Sequence, residues 1–361
     1  MKKKITIIVV AIFSFFVIAC ICLLLFYLSS IKAVETNDGN VKEVTFEVKS
    51  GSTTNQIIDS LYEEDLINNK YTAYVFVKLH NDYVMQAGVY ELNNGMSLDD
   101  ILSKINNGEV IDNSITVTFV EGKRITNYVR VISAKFGYSE DEILDVLSDK
   151  EYLQELCNKY WFLTEDILND KLYYALEGYL APNTYFFKED ASVKEIIEKL
   201  LSTTGNELDK MKESIDGNKY SVHQILTMAS IVELEGANSN DRAGVSGVFY
   251  NRLENGWSLG SDVTTYYAEQ IEMSDRDLYQ AELDEENDYN TRSSAMAGKL
   301  PIGPICNPGV ESIKAAIEPQ KHDYYYFVAD KYKKTYFAKN YNEHVTIIND
   351  LKNKGLWYTY E

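Results

Sequence analysis

The chain has 361 residues, with 35 basic and 55 acidic side chains and a formal net charge of −20. Its first 32 residues contain four lysines and no acidic residue. The rest of the chain therefore has 31 basic and 55 acidic residues. Such a negative surface repels nucleic acid and anionic lipid headgroups, which excludes both as expected partners but allows a neutral or cationic polymer. The remaining length is enough for two domains with cores of their own.

An apolar segment without charges follows the first residues. Three lysines precede the run Ile5–Leu28, whose 24 residues are rich in Ile, Val, Leu and Phe. As a helix this run spans roughly 36 Å, enough to cross a bilayer with some tilt. The lysines predict a cytoplasmic tail over residues 1–4, a transmembrane helix over residues 5–28 and an extracytoplasmic remainder. A cleaved secretory signal is the alternative, but the run is too long for a usual signal core and no A-x-A site follows it.

Beyond the span, the patterns predict an α+β protein in two parts. Residues 33–43 are polar and predict a linker. Residues 44–110 combine alternating strand patterns with capped amphipathic helices, which is typical of a small α+β module. A strand pattern at Ser114–Val120 opens a larger α+β domain over residues 111–361, and its last part predicts a hairpin from Tyr324 to Ala338.

Two loop regions of the larger domain are dense in turn-forming and aromatic residues. They are Leu176–Tyr185 and Asn287–Gly309, and four of the five prolines lie within residues 301–319. Because proline fixes φ, we expect these loops to form rigid walls rather than flexible connectors.

A carboxylate pair closes an apolar helix in the middle of the chain. The run Ile225–Glu235 has no Lys or Arg and predicts a largely buried helix that ends at Gly236. A carboxyl group there loses hydration, which raises its pKa and suits it to donate a proton near neutral pH. On a helical wheel Glu233 lies nearer the apolar direction than Glu235, which favours Glu233 as the working acid. The alternative is a helix end with ordinary solvated glutamates.

The cysteines and histidines do not form a metal-binding pattern. Cys20 and Cys22 lie in the span, and the sequence leaves open whether Cys157 and Cys306 form a disulfide. With four histidines and no H-x-x-x-H or C-x-x-C spacing, the sequence predicts no metal site and no cofactor. The histidines at positions 223 and 344 lack a catalytic partner pattern and are expected to be structural.

Several segments together resemble one family, the endolytic murein transglycosylases of the YceG-like, or MltG, type. The family carries A-S-I-V-E-K-E, L-E-G-Y-L-F-P-D-T-Y, V-F-x-N-R-L, Y-N-T, L-P-P-G-P-I-x-N-P-G, Y-F-V-A-D and an E-E-H-like close. The matching segments are Ala229–Glu235, Leu176–Tyr185, Val248–Leu253, Tyr289–Thr291, Leu300–Gly309, Tyr326–Asp330 and Asn342–His344. A single N-terminal span and a small LysM-like module ahead of the catalytic domain are also that family's layout.

The resemblance implies a reaction and a place in the cell. The family cleaves the β-1,4 bond between N-acetylmuramic acid and N-acetylglucosamine within peptidoglycan strands, and it leaves a 1,6-anhydro ring instead of adding water. Its catalytic glutamate falls on Glu233, and Glu235 would support it. The family is expected to work at the cell membrane beside peptidoglycan synthases, on nascent glycan strands.

Further residues are candidates for binding substrate or supporting the site. They are Glu177, Tyr179, Asn251, Arg252, Asp262, Tyr289, Asn290 and Thr291. Family members show Q-T-D-P-T where this chain has Gly260–Thr264, so only Asp262 of that loop remains a candidate. Two other functions are kept open: a hydrolytic muramidase, in which water attacks, and a glycan-binding scaffold without catalysis.

Overall fold

The computed structural model describes residues 2–34, 41–80, 83–111, 114–236, 238 and 240–357. Over these residues the chain is a mixed α+β protein with an N-terminal apolar helix. It divides into two compact units, Met1–Thr116 with Phe186–Glu189, and Val117–Tyr185 with Asp190–Glu361. Most of the predicted linker over residues 33–43 lies outside the described residues.

The first unit begins with the apolar helix α1, Lys2–Ser30. Its stretch Phe13–Ser30 is long and apolar enough to cross a membrane, in keeping with the predicted span. The elements that follow are β1 Glu43–Val48, α2 Thr54–Glu63, α3 Lys70–Leu79, β2 Gly88–Asn93 and α4 Leu98–Asn106. Strands β1 and β2 pair antiparallel, and Phe46 lies opposite Tyr90.

Local sequence signals explain the helices of this unit. Helix α2 begins with a capping box in which Thr53 and Gln56 satisfy each other's backbone N–H groups, and Ser97 with Asp100 does the same for α4. The apolar faces of these helices pack into one core. That core includes Ile58, Leu61, Tyr90, Leu92, Ile101 and Ile105.

The second unit is mostly helical. Its elements up to the middle are β3 Ser114–Phe119, α5 Ile125–Phe136, α6 Glu140–Ser148, α7 Lys150–Lys159, a 3₁₀ turn Glu165–Leu168, β4 Asn183–Lys188, α8 Val193–Asp209 and α9 Lys212–Asp216. The later ones are α10 Val222–Glu235, α11 Arg242–Glu254, α12 Asp262–Ala268, α13 Gln280–Asp284, a 3₁₀ turn Ser294–Met296, α14 Val310–Ile317, β5 Tyr326–Ala329, β6 Thr335–Ala338 and α15 Tyr341–Asn353. Strand β3 pairs with β4, and the division between the units falls within both strands.

Helix α10 is the central element of the second unit. Every residue of it from Ile225 to Val232 is buried, and it packs against α11, α12 and α14. The predicted hairpin is also present, as β5 and β6 pair antiparallel with Phe327 opposite Phe337. The α10 helix thus passes through the core and brings its C-terminal end to loops from several parts of the chain.

Candidate active site

The position of α10 is set at its first turn and along its side. Ser221 caps its first turn, accepting from the N–H of Gln224 at 3.3 Å, while Gln224 accepts from the Ser221 N–H at 3.0 Å. Further along, the Ser230 hydroxyl accepts from the backbone N–H of Ile305 at 3.0 Å. The proline-rich loop, Asn287–Gly309, is therefore tied directly to the helix.

Glu233 is nearly buried and its carboxylate accepts three hydrogen bonds. The side chain is only 5% exposed. Its Oε1 accepts from Arg242 at 2.8 Å, and its Oε2 accepts from the Gly309 N–H at 2.9 Å and from the Ser312 hydroxyl at 2.7 Å. Arg242 comes from the next helix, whereas Gly309 and Ser312 begin α14. A cation and two neutral donors thus hold this carboxylate in one orientation.

Glu235 points away from these groups. Its carboxylate accepts from the Ser261 hydroxyl at 2.6 Å. Burial raises the pKa of Glu235, and the hydrogen bond from Ser261 opposes that rise. The two glutamates of the helix end therefore have different surroundings: one has a cation beside it, and the other has mainly a hydroxyl.

Glu235 lines a cavity of about 480 Å³ in the second unit. The wall combines aromatic rings with charged groups. Its residues are Glu235, Phe249, Arg252, Trp257, Ser258, Gly260, Asp262, Arg292, Tyr326, Phe327, Tyr341 and His344. Trp257 is 43% exposed and Tyr341 is 64% exposed, so both side chains offer surface to a ligand. Aromatic faces beside carboxylate and guanidinium groups suit a hydroxyl-rich ring such as a sugar.

Arg252 and Asp262 are the two other predicted residues on this wall. The Nε of Arg252 donates to the Tyr325 carbonyl at 2.7 Å, and its Nη1 donates to the Leu259 carbonyl. Asp262 pairs with the Nε of Arg292 at 3.3 Å. Arg252 is therefore anchored to backbone, while the Asp262–Arg292 pair presents partly exposed charges to the cavity.

Glu177 is placed inside the protein rather than on the cavity wall. It is 1% exposed and accepts from the Ile125 N–H at 2.9 Å, the Tyr267 hydroxyl at 3.2 Å and the Asn307 amide at 3.3 Å. Burial raises the pKa of Glu177 to about 8, against these hydrogen bonds. It joins the Leu176–Tyr185 turn to helix α5 and to the proline-rich loop.

Tyr179 is also fully buried and bonds to a histidine. Its hydroxyl lies 2.7 Å from Nδ1 of His223, and the Nε2 of His223 lies 2.8 Å from the Ile302 carbonyl. Because a carbonyl can only accept, Nε2 donates and Nδ1 accepts from the tyrosine. Both ring nitrogens are therefore satisfied, which is a structural arrangement.

The remaining predicted residues bond to neighbouring parts of the protein. Asn251 donates to the carbonyls of His322 and Tyr324, at 2.9 and 2.8 Å. Asn290 accepts from Thr265 at 2.6 Å, and Thr291 and Thr264 hydroxyls lie 2.8 Å apart. Tyr289 is 1% exposed, and its ring packs against the rings of Tyr173 and Tyr267. These side chains therefore bond within the protein, and they are not among the residues that line the cavity.

The two cysteines outside helix α1 are free thiols. Cys306 is buried and donates to the Ser230 carbonyl at 3.4 Å, and Cys157 donates to the Thr164 carbonyl at 3.5 Å. The disulfide that the sequence left open is not formed in this structure.

Comparison with known proteins decides the family. The model of the YceG-like family matches residues 46–350. The chain belongs to the YceG-like family. It is 35% identical over 303 residues to the endolytic murein transglycosylase of Bacillus subtilis strain 168, an alignment that covers 83% of this chain and 82% of that protein.

Two further relatives agree with this membership. The endolytic murein transglycosylase of Streptococcus pneumoniae strain D39 is 28% identical over 336 residues, which cover 88% of this chain and 60% of that protein. A 2.6 Å crystal structure of a YceG-like protein from Listeria monocytogenes superposes with a TM-score of 0.61 at 33% identity, covering 85% of this chain and 100% of that one. The resemblance found in the seven motifs is thereby confirmed.

Four residues at this family member's site were missed from the sequence. They are Arg242 and Ser312 beside Glu233, Trp257 on the cavity wall, and Glu121, whose carboxylate lies 4.0 Å from Arg242. Glu121 had a usable signal, because it follows the predicted strand Ser114–Val120 and precedes a glycine, a position where functional residues concentrate. Arg242 and Ser312 had no comparable signal, since they reach Glu233 only through the packing of α11 and α14 on α10.

Proposed function

We propose that this chain is a membrane-anchored endolytic murein transglycosylase. On this proposal it cleaves the β-1,4 bond between N-acetylmuramic acid and N-acetylglucosamine inside glycan strands and leaves 1,6-anhydro ends. The names of the Bacillus and Streptococcus relatives support the activity. The observation that carries the chemistry is the placement of two carboxyl groups at the end of α10, one of them on an aromatic-lined cavity.

Glu233 is proposed as the general acid and then the general base. In the first step its proton passes to the glycosidic oxygen while the bond from C1 to that oxygen breaks. In the second step its carboxylate takes the proton of the C6 hydroxyl, and O6 bonds to C1 to close the anhydro ring. One carboxyl group serves both steps, so no second carboxylate is needed as a nucleophile, in contrast to retaining hydrolases. Ser312 and the Gly309 N–H support this role because they hold the carboxylate in one orientation.

Glu235 is the second candidate for the acid. Burial raises the pKa of Glu235, and its side chain lines the cavity, whereas Glu233 has Arg242 beside it. In the proposed mechanism Glu235 instead binds the glycan strand in the cavity with Asp262 and Arg252, on the other face of α10 from Glu233. Gln variants at the two positions separate these assignments and are argued in the Discussion.

The first unit is proposed to bind the glycan polymer. Its residues 44–110 are proposed to form a LysM-like module, supported by the order β1–α2–α3–β2 and the antiparallel strand pair. The alternative is that the module only spaces the site from the membrane. Helix α1 is proposed as a single-pass anchor with the N-terminus in the cytoplasm and the site outside, where peptidoglycan synthases are the expected protein partners.

Product analysis tests the function and its two alternatives. The full chain in detergent is incubated with purified glycan strands, and the products are identified by mass spectrometry. A lytic transglycosylase gives 1,6-anhydro ends, each lighter by one water than the reducing ends left by a hydrolytic muramidase. Reducing ends would show the hydrolase, and binding of strands without any cleavage would show the scaffold.

A further inference from the structure

Arg242 lies between two carboxylates that differ in burial. Its Nη2 is 2.8 Å from Glu233 and 4.0 Å from Glu121. Arg242 is 12% exposed and Glu233 5%, but Glu121 is 54% exposed. The Nε of Arg242 is buried and has no hydrogen-bond partner among the described residues. The guanidinium therefore has donor capacity that the bond to Glu233 does not use.

The second carboxylate reaches this place because Gly309 has no side chain. A Cβ at Gly309 would lie 2.1 Å from an oxygen of Glu121 and 3.4 Å from an oxygen of Glu233. Gly122, which follows Glu121, turns the chain with a φ of +73°. The two carboxylates thus approach each other across a glycine, with Arg242 beside both.

The proposed reaction creates a charge problem at Arg242. Glu233 must hold a proton before the first step and again after the second, and in that form it no longer balances the guanidinium. A nearly buried cation without an anion is costly. Among the described residues, Glu121 is the only other carboxylate in ion-pair contact with Arg242.

We propose that Glu121 is a positioning residue that takes over Arg242 whenever Glu233 is protonated. This inference rests on the proposed function. The guanidinium turns from one carboxylate to the other as the proton arrives, so its charge stays balanced in both states. Glu121 itself touches neither the substrate nor the reacting atoms, and it acts through Arg242.

Other charged groups around Glu233 do not serve this purpose. On α14, Glu311 and Lys314 pair with each other at 2.9 Å. Cys306 stays a neutral thiol, because burial raises its pKa well above the ordinary value. Glu235, together with Arg252 and Arg292, belongs to the cavity on the other face of α10.

The first test compares Glu121→Gln with the matched control Glu311→Gln, in the full chain in detergent. Both variants remove one carboxylate from an ion pair, and both parent side chains are more than half exposed, at 54% and 58%. In Glu121→Gln, Glu233 is the one remaining carboxylate in ion-pair contact with Arg242 among the described residues. Protonation of Glu233 then leaves the Arg242 charge unbalanced, so the protonated form of Glu233 is disfavoured. The alkaline limb of kcat should move to lower pH by about one unit, with a loss of about tenfold at neutral pH and an unchanged KM. Glu311→Gln should match the wild type.

A second readout does not need activity. Glu233→Gln makes the acid neutral, so Arg242 should then depend on Glu121 for its balancing charge. Combining Glu121→Gln with Glu233→Gln should lower the melting temperature by about 2 °C more than the two single changes together. Combining Glu311→Gln with Glu233→Gln should be additive.

Two results would overturn the inference. One is additive melting together with a pH profile of Glu121→Gln equal to that of Glu311→Gln. The other is a raised KM with unchanged kcat, which would make Glu121 a substrate contact. If the wild type cleaves no glycan, the proposed function fails, and the melting cycle still decides whether Arg242 moves between the carboxylates.

Discussion

Two glutamates only two positions apart on α10 meet different chemistry. Glu233 receives three donors, one of them the Arg242 guanidinium at 2.8 Å, whereas Glu235 receives the Ser261 hydroxyl and faces the cavity. Residues that are two apart on a helix point to nearly opposite sides, so each carboxylate meets its own set of neighbours. Single-residue variants can therefore test which of the two glutamates is the catalytic acid.

Glu233→Gln should abolish cleavage while folding and glycan binding remain. The amide keeps the shape of the side chain but can neither give the proton nor take it back, so kcat should fall by at least about 10²-fold. Release of soluble muropeptides measures this loss, with melting and pull-down on insoluble peptidoglycan as controls. Glu235→Gln should cost less. Near-normal turnover of Glu233→Gln with an inactive Glu235→Gln would reverse the assignment.

Glu177 is the second residue whose surroundings lead to a prediction. Burial raises its pKa from 4.5 to about 8, so between these values the folded protein holds a proton that the unfolded chain has lost. Its contribution to stability is complete below pH 4.5 and is lost as pH rises to about 8. For a single titrating group, the free energy of unfolding falls by at most about 1.4 kcal/mol per pH unit.

Glu177→Gln should therefore flatten the dependence of stability on pH between 5 and 8 (about the span of this shift). The amide can accept from Ile125 and donate to the Tyr267 oxygen, so the packing is kept. Melting followed by tryptophan fluorescence reports on the second unit, where all three tryptophans lie. Glu311→Gln serves as the control, because the Glu311 side chain is 58% exposed. A pH slope equal to that of the wild type would show that Glu177 does not bind a proton in this range.

At the scale of elements, a rigid helix and tightly packed turns hold the site. The end of α10 meets the start of α14 at Gly309, and the Leu176–Tyr185 turn packs on the proline-rich loop. In that turn Gly178 has a φ of +83°, and a Cβ there would lie 2.3 Å from Cβ of Pro304. Neither the backbone angle nor the space accepts a side chain.

Gly178→Ala should therefore unfold or strongly destabilise the second unit, by more than about 3 kcal/mol. Gly137→Ala is a matched control, because Gly137 caps α5 with a φ of +81° and a Cβ there would meet nothing within 4 Å. That control should cost only about 1 kcal/mol for the left-handed backbone. Equal melting temperatures for the two variants would show that the close approach of Pro304 has no energetic weight.

At the scale of the whole molecule, the groups proposed for chemistry all belong to the second unit. Glu233, Arg242, Ser312 and every residue of the cavity wall lie within it. After residue 32 the chain has 31 basic against 55 acidic residues, and this negative charge repels anionic polymers. Encounter with the glycan and its cleavage are therefore expected to be separable.

Deletion of residues 44–110 tests this separation. Binding to insoluble peptidoglycan should weaken by roughly tenfold to a hundredfold, since a second point of attachment is lost. Cleavage of short soluble glycans should remain measurable, because the carboxylates and the cavity are untouched. Full-length Glu233→Gln is the control that binds but does not cleave. A truncated protein that is folded by circular dichroism yet inert on every glycan length would show that the module helps to build the site.

Much of this protein can be predicted from local patterns. The apolar run predicted the N-terminal apolar helix, and the absence of charge in Ile225–Val232 predicted the buried helix. Alternation predicted the hairpin from Tyr324 to Ala338, whose strands pair from Tyr326 to Ala338, and ordered motifs predicted the family. Each of these depends on residues close together in the chain, whose burial and backbone preference the local pattern already determines.

The partners of the carboxylates were decided only by tertiary structure. Arg242 is nine positions from Glu233 in the sequence, and Ser312 is 79 positions from it. Glu121 lies before both α10 and α11 in the chain. The apolar helix itself offered no cation, so its sequence predicted a desolvated acid, and packing of α11 placed a guanidinium beside it. Such contacts depend on how helices and loops pack across long separations, where many pairings satisfy the same local pattern and only the complete core selects one.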